Sequence, residues 1–126
     1  MEKIISREVA KLLSKTDFKE YCNRVYFKGE QNDMNIGQGF YKSNEDIEFY
    51  APTQNQLKDW LRQKHNIFVD VFTDQTMEPK FCYKVSKYID PFEWKNYHNG
   101  YSDLFYDYNK CLEEALKVAL GFLKIV

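Results

Sequence analysis

The stretch APTQNQLKDWLRQKHNIFVDVF, residues 51–72, decides the fold because it signals the start and end of a helix and the strand after it. Pro52 disfavours helical backbone in the residue before it. Thr53, followed three residues later by Gln56, is a capping box, in which side chains bind the exposed N–H groups of a first helical turn. These signals predict a helix over residues 54–65.

One face of this predicted helix is apolar. Leu57, Trp60 and Leu61 lie three and four residues apart, so they point to the same side. Asn66 can adopt the left-handed conformation that ends a helix. Residues 67–73 then alternate as a strand with both faces partly covered. We therefore interpret the stretch as a helix and a strand of a core.

The N-terminal third is predicted to add one helix and two strands. Ser6 is a candidate N-cap for a helix over residues 6–15, whose apolar residues have helical spacing. Three further residues would continue this helix as a second turn: Phe18, Tyr21 and Cys22. Short strands are predicted at residues 25–27 and 47–50.

Residues 28–46 between these strands have loop composition, and a loop of this length is uncommon in compact domains. The segment GQGF, residues 37–40, has neither the flanking elements nor the third glycine of a dinucleotide-binding fingerprint. Its glycines are interpreted as turn residues.

The C-terminal half predicts a hairpin strand and a last helix. After a turn at residues 74–79, residues 80–89 alternate as an antiparallel strand with one wet face, carrying Cys82 and Ser86, and with Ile89 facing inward. Residues 90–107 are predicted to be a long connection with a turn at Asn99-Gly100. Asp107 can cap a terminal helix that runs from about Tyr108 and docks on the sheet.

These elements predict an α+β fold in which three helices pack on a small, mainly antiparallel sheet. The 126 residues are expected to form a single compact domain, residues 1–126, with 44% hydrophobic and 29% charged residues, as is typical of globular proteins. The predicted core residues are Trp60, Leu61, Val69, Val71, Phe81, Val85, Leu112, Leu116 and Ala119.

Charge and cysteine content indicate where the protein is found. The net charge of −1 gives no overall field toward phosphate. Three widely spaced cysteines favour reduced, buried thiols over a disulfide framework. The N-terminus lacks an unbroken apolar stretch, and no segment has the length of a membrane span. We expect a cytoplasmic protein with no membrane partner.

The sequence favours no enzyme class. His65 and His98 do not recur at metal-ligand spacing, and His65 is expected to interact with the last carbonyls of its helix. Glu113 and Glu114 are adjacent on a helix, so they point in different directions and do not form a simple acid–base pair. We predict a non-enzymatic protein and assign no catalytic, cofactor-binding, metal-binding or small-molecule site.

Nucleic-acid binding is the alternative hypothesis. The predicted helix over residues 54–65 and the strand after the next turn carry basic residues that would reach a groove and a phosphate backbone: Lys58, Arg62, Lys64, Lys80, Lys84 and Lys87. Acidic residues are interleaved among them, and such side chains are more often solvated on an exposed face.

A protein-interaction role is favoured because aromatic residues are 17% of the chain and cluster in residues 92–108. Aromatic side chains are preferred anchors in protein interfaces. This segment either covers its own core or contacts an unidentified protein partner. Self-association through a sheet edge or the last helix is a further possibility.

Three segments resemble a group of small uncharacterised proteins encoded in bacterial and phage or prophage genomes. They are ISREVAKLLSKTDF, APTQNQLKDWLRQKHNIFVDV and YNKCLEEALKVALGFL, a little under half of the chain. Two departures are Thr16-Asp17-Phe18, where the group tends to have Lys-Gly-Phe, and Gly121 in the last helix. The resemblance implies a shared fold and a phage-type genomic context, and it carries over no catalytic residue.

Overall fold

The computed structural model describes residues 3–35, 44–74, 80–99 and 105–123, in which the chain forms three α-helices and six β-strands. The helices are α1 (Arg7–Leu13), α2 (Gln54–His65) and α3 (Tyr108–Gly121). The strands are β1 (Arg24–Phe27), β2 (Met34–Asn35), β3 (Ile47–Tyr50), β4 (Ile67–Asp74), β5 (Lys80–Asp90) and β6 (Glu93–Asn99). A 3-10 turn, Asn44–Asp46, precedes β3. The predicted α+β class is confirmed.

The strands are divided between two antiparallel three-stranded sheets, with the orders β2-β1-β3 and β4-β5-β6, where one sheet was expected. The division follows from the chain after β3. Ala51 still donates its N–H to the carbonyl of Arg24, at 2.9 Å. Pro52 has no N–H with which to extend this ladder, and α2 begins two residues later. β4 then pairs with β5 along the whole of its length.

The ends of α2 are formed by the residues that the sequence indicates. Thr53 Oγ1 accepts a hydrogen bond from the N–H of Gln56, at 3.0 Å. Asn66 has φ 55°, and its N–H reaches the carbonyls of Leu61 and Arg62. The Thr53 contact of the predicted capping box is therefore present, and Gln56 Nε2 also donates to the carbonyl of Tyr21.

α1 begins at the predicted cap and ends earlier than expected. Ser6 Oγ accepts from the N–H of Val9, at 3.2 Å. The prediction that Phe18, Tyr21 and Cys22 continue the helix is wrong. The hydroxyl of Thr16 donates to the carbonyl of Leu13 at 2.7 Å and accepts from the N–H of Phe18. A hydroxyl that binds nearby backbone groups offers the chain an alternative to the helix. Segment 18–22 is therefore irregular.

Two predictions in the C-terminal half need correction. The expected connection over residues 90–107 contains β6, which forms a hairpin with β5. Its turn lies at Pro91 and Phe92, where the N–H of Phe92 donates to Asp90 Oδ1 at 2.8 Å. This aspartate contact specifies a tight turn, so the chain reverses before Asn99. Gly100, the GQGF segment and residues 75–79 of the expected turn lie outside the described residues.

The expected wet face of β5 is covered. Cys82 and Ser86 are buried, because β5 is the central strand of its sheet. Each is a small side chain directly opposite a phenylalanine of the neighbouring strand β4. Ile89 is exposed, since a bulge between Tyr88 and Asp90 takes it out of register with β6. Within the expected loop over residues 28–46, β2 pairs with β1, and Arg24 binds Asp33 and Asn35 beside it.

The core lies where the helices pack against the sheets, and α3 crosses β4 and β5. Seven predicted core residues are buried: Trp60, Leu61, Val69, Val85, Leu112, Leu116 and Ala119. Val71 and Phe81 are partly buried and pack against the same cluster. The buried cluster includes residues of all three helices and of both sheets.

A polar junction joins the beginnings of α1 and α2 to α3. Glu113 Oε1 accepts from the backbone N–H of Ser6 at 2.5 Å, and Glu113 Oε2 accepts from Gln54 Nε2 at 2.8 Å. The same Gln54 nitrogen donates to the carbonyl of Asn109, at 3.0 Å. The side chain of Gln54 is buried although it is polar, with 2% of its surface exposed. Glu113 therefore has a structural role at two helix N-termini, where a negative charge is favoured.

Candidate partner-binding surfaces

The histidines and acidic residues do not converge on a metal site. His65 Nε2 lies 3.0 Å from Asp17 Oδ1, and its ring packs edge-on against Trp60, with the centroids 4.7 Å apart. The His65 ring therefore contacts Asp17 and Trp60. The expected contact with the last carbonyls of α2 is not observed. The side chain of His98 lies outside the described residues. In the described ranges, no group of three or more His, Cys, Asp and Glu residues is arranged to hold a metal ion.

The basic residues that suggest nucleic-acid binding are divided over the surface. Lys84 pairs with Asp70 across the β4–β5 ladder, and Lys87 pairs with Ile67. Because successive side chains of a strand alternate between faces, Lys84 and Lys87 lie on opposite faces of the sheet.

Beside the edge of β4 lies a depression of about 280 Å³ that mixes both signs of charge. It is lined by Lys58, Asp59, Arg62, Phe68, Val69 and Asp70. Within it, Arg62 Nη2 lies 3.8 Å from Asp59 Oδ1, and both side chains are about half exposed or more. Acidic side chains thus lie among the basic residues of α2.

A concave surface follows the outer side of β3. It consists of two adjoining depressions that share Phe18 and Tyr50, and we call the pair the β3 groove. A depression of about 480 Å³ is lined by Phe18, Lys19, Glu20, Tyr21, Cys22 and Tyr50. A second, of about 160 Å³, is lined by Ala10, Leu13, Ser14, Phe18, Glu48, Phe49 and Tyr50.

The backbone of β3 faces this groove. β1 pairs with one edge of β3, and no other strand in the described parts of the chain pairs with its second edge. Since the N–H of Ala51 points inward to Arg24, and backbone groups of successive residues alternate in direction, the N–H and C=O of Tyr50 point away from β1. Tyr50 lines both depressions, so a donor and an acceptor without a hydrogen-bond partner among the described residues lie along the groove. Two residues further on, this side of the chain is occupied, because the carbonyl of Pro52 accepts from the N–H of Ile5 at 3.1 Å.

The walls of the groove are aromatic and firmly held. Phe18 packs edge-on against the buried Trp60, with the ring centroids 5.1 Å apart. Gln56 holds the backbone of Tyr21 through the 2.9 Å hydrogen bond to its carbonyl. The side chains of Tyr21 and Tyr50 are 77% and 52% exposed, which leaves large apolar ring surfaces in contact with water. Such exposed aromatic groups beside a concavity are typical of binding surfaces.

Charges lie at the ends of the groove. Arg7 Nη2 forms an ion pair of 2.7 Å with Glu48 Oε2, and its guanidinium lies over the ring of Phe49, 5.2 Å from the centroid. Lys19 and Glu20 lie at the other end, so the two ends carry both signs of charge. Burial, and next the charge of Glu20, raise the pKa of the Cys22 thiol to about 11. This thiol is therefore protonated at neutral pH and is a poor nucleophile.

A second apolar surface lies at the tip of the β5–β6 hairpin. The side chain of Phe92 is 98% exposed and that of Trp94 is 50% exposed, with Ile89 beside them. Trp94 packs edge-on against Phe68 and Tyr88, with the centroids 5.2 Å apart in both contacts. We call Ile89, Phe92 and Trp94 the hairpin tip.

The aromatic segment 92–108 thus has two different roles. Phe105 covers the core, because it exchanges backbone hydrogen bonds with Phe81 at 2.6 and 2.8 Å and packs against the buried cluster. Phe92, Trp94, Tyr106 and Tyr108 are exposed. Of the two alternatives for this segment, covering of the core is therefore observed for Phe105, whereas these four side chains are exposed, although Tyr108 also packs edge-on against Phe81. The side chain of Tyr97 and the whole of Tyr101 lie outside the described residues.

Comparisons with known proteins identify no relative of this chain. No protein-family model matches the chain, and neither the curated proteins nor the solved structures contain a significant match. The resemblance to small phage-encoded proteins stays a prediction from the sequence. In the part of the chain that the structure describes, no helix has both the length and the apolar composition to cross a membrane.

Proposed function

We propose that this chain is a non-enzymatic protein-interaction domain that binds an extended segment of a partner protein in the β3 groove. The observation that carries the proposal is the outward direction of the Tyr50 N–H and C=O at the open edge of β3, between two depressions with aromatic walls. A segment that adds to a sheet edge gains affinity from backbone hydrogen bonds and specificity from pockets for alternate side chains.

Two adjoining depressions could each accept one side chain of an extended segment. Side chains two residues apart in a strand point to the same face and are separated by about 7 Å. One such side chain would fill the larger depression beside Tyr21, and the next would fill the smaller one beside Leu13. Aromatic or long aliphatic side chains fit the first, and a small apolar side chain fits the second, because their volumes are about 480 Å³ and 160 Å³.

Composition favours a peptide over a nucleic acid in this groove. Lys19 is the one basic residue among the lining side chains of the described part of the chain, and Glu20 and Glu48 are acidic. Binding to a phosphate backbone requires several Lys or Arg contacts. A nucleic acid would instead use α2 and β5, where Asp59 and Asp70 lie among the basic residues.

The proposal includes a cytoplasmic location. Cys22, Cys82 and Cys111 are buried and form no disulfide in the described residues. Burial, and next the nearby Cys82, raise the pKa of the Cys111 thiol to about 11 as well. Reduced thiols persist in the cytosol, whereas oxidising compartments favour disulfides. A phage or prophage origin belongs to the same proposal and is supported by the sequence resemblance alone.

The test is selection of short peptides from a random display library, followed by affinity measurement with fluorescently labelled peptides. We expect sequences with apolar residues two positions apart, and loss of at least tenfold in affinity for the variant Y21A/Y50A. Y106A removes another exposed tyrosine, outside the groove, and serves as the matched control. Methylating the peptide backbone at alternate nitrogens should also weaken binding, because it removes donors to the sheet edge.

Two results would contradict the proposal. One is that no peptide is enriched, and the other is that selected peptides bind Y21A/Y50A as tightly as the parent protein. Binding of random duplex DNA that falls steeply with salt, and that is lost on substitution of Lys58 and Arg62, would support the nucleic-acid hypothesis instead.

A further inference from the structure

In three successive cross-strand pairs of the β5–β6 hairpin, the two opposite residues have the same chemical character. Lys87 is opposite Lys95, Tyr88 is opposite Trp94, and Asp90 is opposite Glu93. Like charges directly opposite each other destabilise a strand pair. The end of the hairpin thus has a basic pair, an aromatic pair and an acidic pair, in this order toward the turn.

This order of charges is complementary to itself. When a second hairpin lies beside the first in the opposite direction, the acidic pair of each copy is close to the basic pair of the other. The aromatic pairs then meet in the centre. A two-fold axis gives both copies the same contacts, as in most homodimers.

The edge that would meet this second copy is open in the described residues. β6 is the terminal strand of its sheet, and no strand of the described chain pairs with its outer side. Glu93, Trp94 and Lys95 are all exposed. Packing against Phe68 and Tyr88 holds the Trp94 ring in place. Binding of a second copy to its exposed half would therefore cost little side-chain entropy.

We propose that two copies of this chain pair edge to edge through β6, antiparallel and centred on Trp94. In this register Glu93 of each copy is opposite Lys95 of the other, and the two Trp94 rings are direct neighbours. Two opposite-charge pairs and one aromatic pair are formed, and six strands become one continuous sheet. The exposed Phe92 and Ile89 flank the contact.

A lipid surface fits the hairpin tip less well than a second copy. An apolar tip that enters a membrane normally carries basic residues nearest to the lipid headgroups. Here Asp90 and Glu93 are nearest to the turn, and the lysines lie behind them. The β3 groove is on another sheet, so this inference does not depend on the proposed peptide binding.

The test is the molar mass of the purified full chain as a function of concentration, by light scattering and analytical ultracentrifugation. We expect a monomer–dimer equilibrium that weakens as salt is added, since the charge pairs are exposed. E93K alone and K95E alone should each weaken the dimer about tenfold, because both cross-strand pairs then join like charges. W94A should weaken it further.

Charge-swap variants test the register in which the two β6 strands pair. E93K/K95E should dimerise like the parent protein, because exchanging the two charges keeps each pair opposite. An equimolar mixture of E93K and K95E should form a heterodimer as strong as the parent dimer, although each variant alone dimerises about tenfold more weakly. Circular dichroism and urea unfolding of each variant establish that it remains folded.

Three outcomes would overturn the inference. The first is a folded monomer at every concentration. The second is a dimer that E93K and K95E leave unchanged, or that E93K/K95E fails to restore. The third is a monomer that co-sediments with vesicles of anionic phospholipid through Phe92 and Trp94, which would identify the hairpin tip as a lipid-binding surface.

Discussion

Replacement of Glu113 by alanine tests the polar junction that joins the three helices. The carboxylate accepts two hydrogen bonds, from Ser6 N–H at 2.5 Å and from Gln54 Nε2 at 2.8 Å. A hydrogen bond to a charged group contributes about 1.5–3 kcal/mol. Gln54 retains its bond to Asn109, and Glu113 is only partly buried, which reduces the sum. We expect E113A to lower the free energy of unfolding by about 2–4 kcal/mol.

Two matched variants separate this junction from general effects on α3. E113Q keeps one acceptor oxygen and loses the charge, so we expect a loss of about 1–2 kcal/mol. E114A changes the adjacent helical position and should have an effect within about 0.5 kcal/mol. Urea unfolding, followed by the fluorescence of the buried Trp60, measures all three. If E113A is no less stable than E114A, the junction does not stabilise the fold and the reasoning is refuted.

Three further predictions concern local features. N66G should keep the parent stability, whereas N66V should lose about 1–2 kcal/mol in urea unfolding, because φ at this residue is 55°. In the native state at pH 8, Cys22 and Cys111 should react with thiol reagents far more slowly than in denaturant, because their pKa values are about 11. The N–H of Lys110 lowers the pKa of Asp107, so this carboxylate stabilises the fold above its unfolded pKa. The stability difference between the parent and D107N should therefore vanish as the pH falls through the lowered pKa.

The parts of the fold that could be predicted from the sequence have local causes. Pro52, Thr53 and Asn66 act through bonds and sterics within a few residues, so both ends of α2 are where the sequence indicates. The spacing of Trp60 and Leu61 predicts their burial for the same reason. β6 lies within a predicted connection because Asn99-Gly100 is the stronger turn signal in the sequence, whereas the chain reverses earlier, at the turn held by Asp90.

The β3 groove could not be found in this way because its walls come from distant segments. Phe18 and Tyr21 continue the apolar spacing of α1, but the hydroxyl of Thr16 binds nearby backbone groups and Gln56 holds the carbonyl of Tyr21, so the segment is irregular. Nothing in residues 47–50 indicates that β3 is an edge strand, since strand order depends on the whole chain. The aromatic composition favours an interaction role in general, but the segment that it singles out, residues 92–108, does not line this groove.

Amide hydrogen exchange at Tyr50 tests the central claim most directly. In the free protein, the N–H of Ala51 is bonded to Arg24 and should exchange slowly, whereas the N–H of Tyr50 points into the groove and should exchange rapidly. Addition of a selected peptide should protect Tyr50 and leave Ala51 unchanged, because the peptide backbone then accepts the Tyr50 proton. A Tyr50 amide that is already protected in the free protein, or that stays unprotected when the peptide is bound, would contradict strand addition at β3.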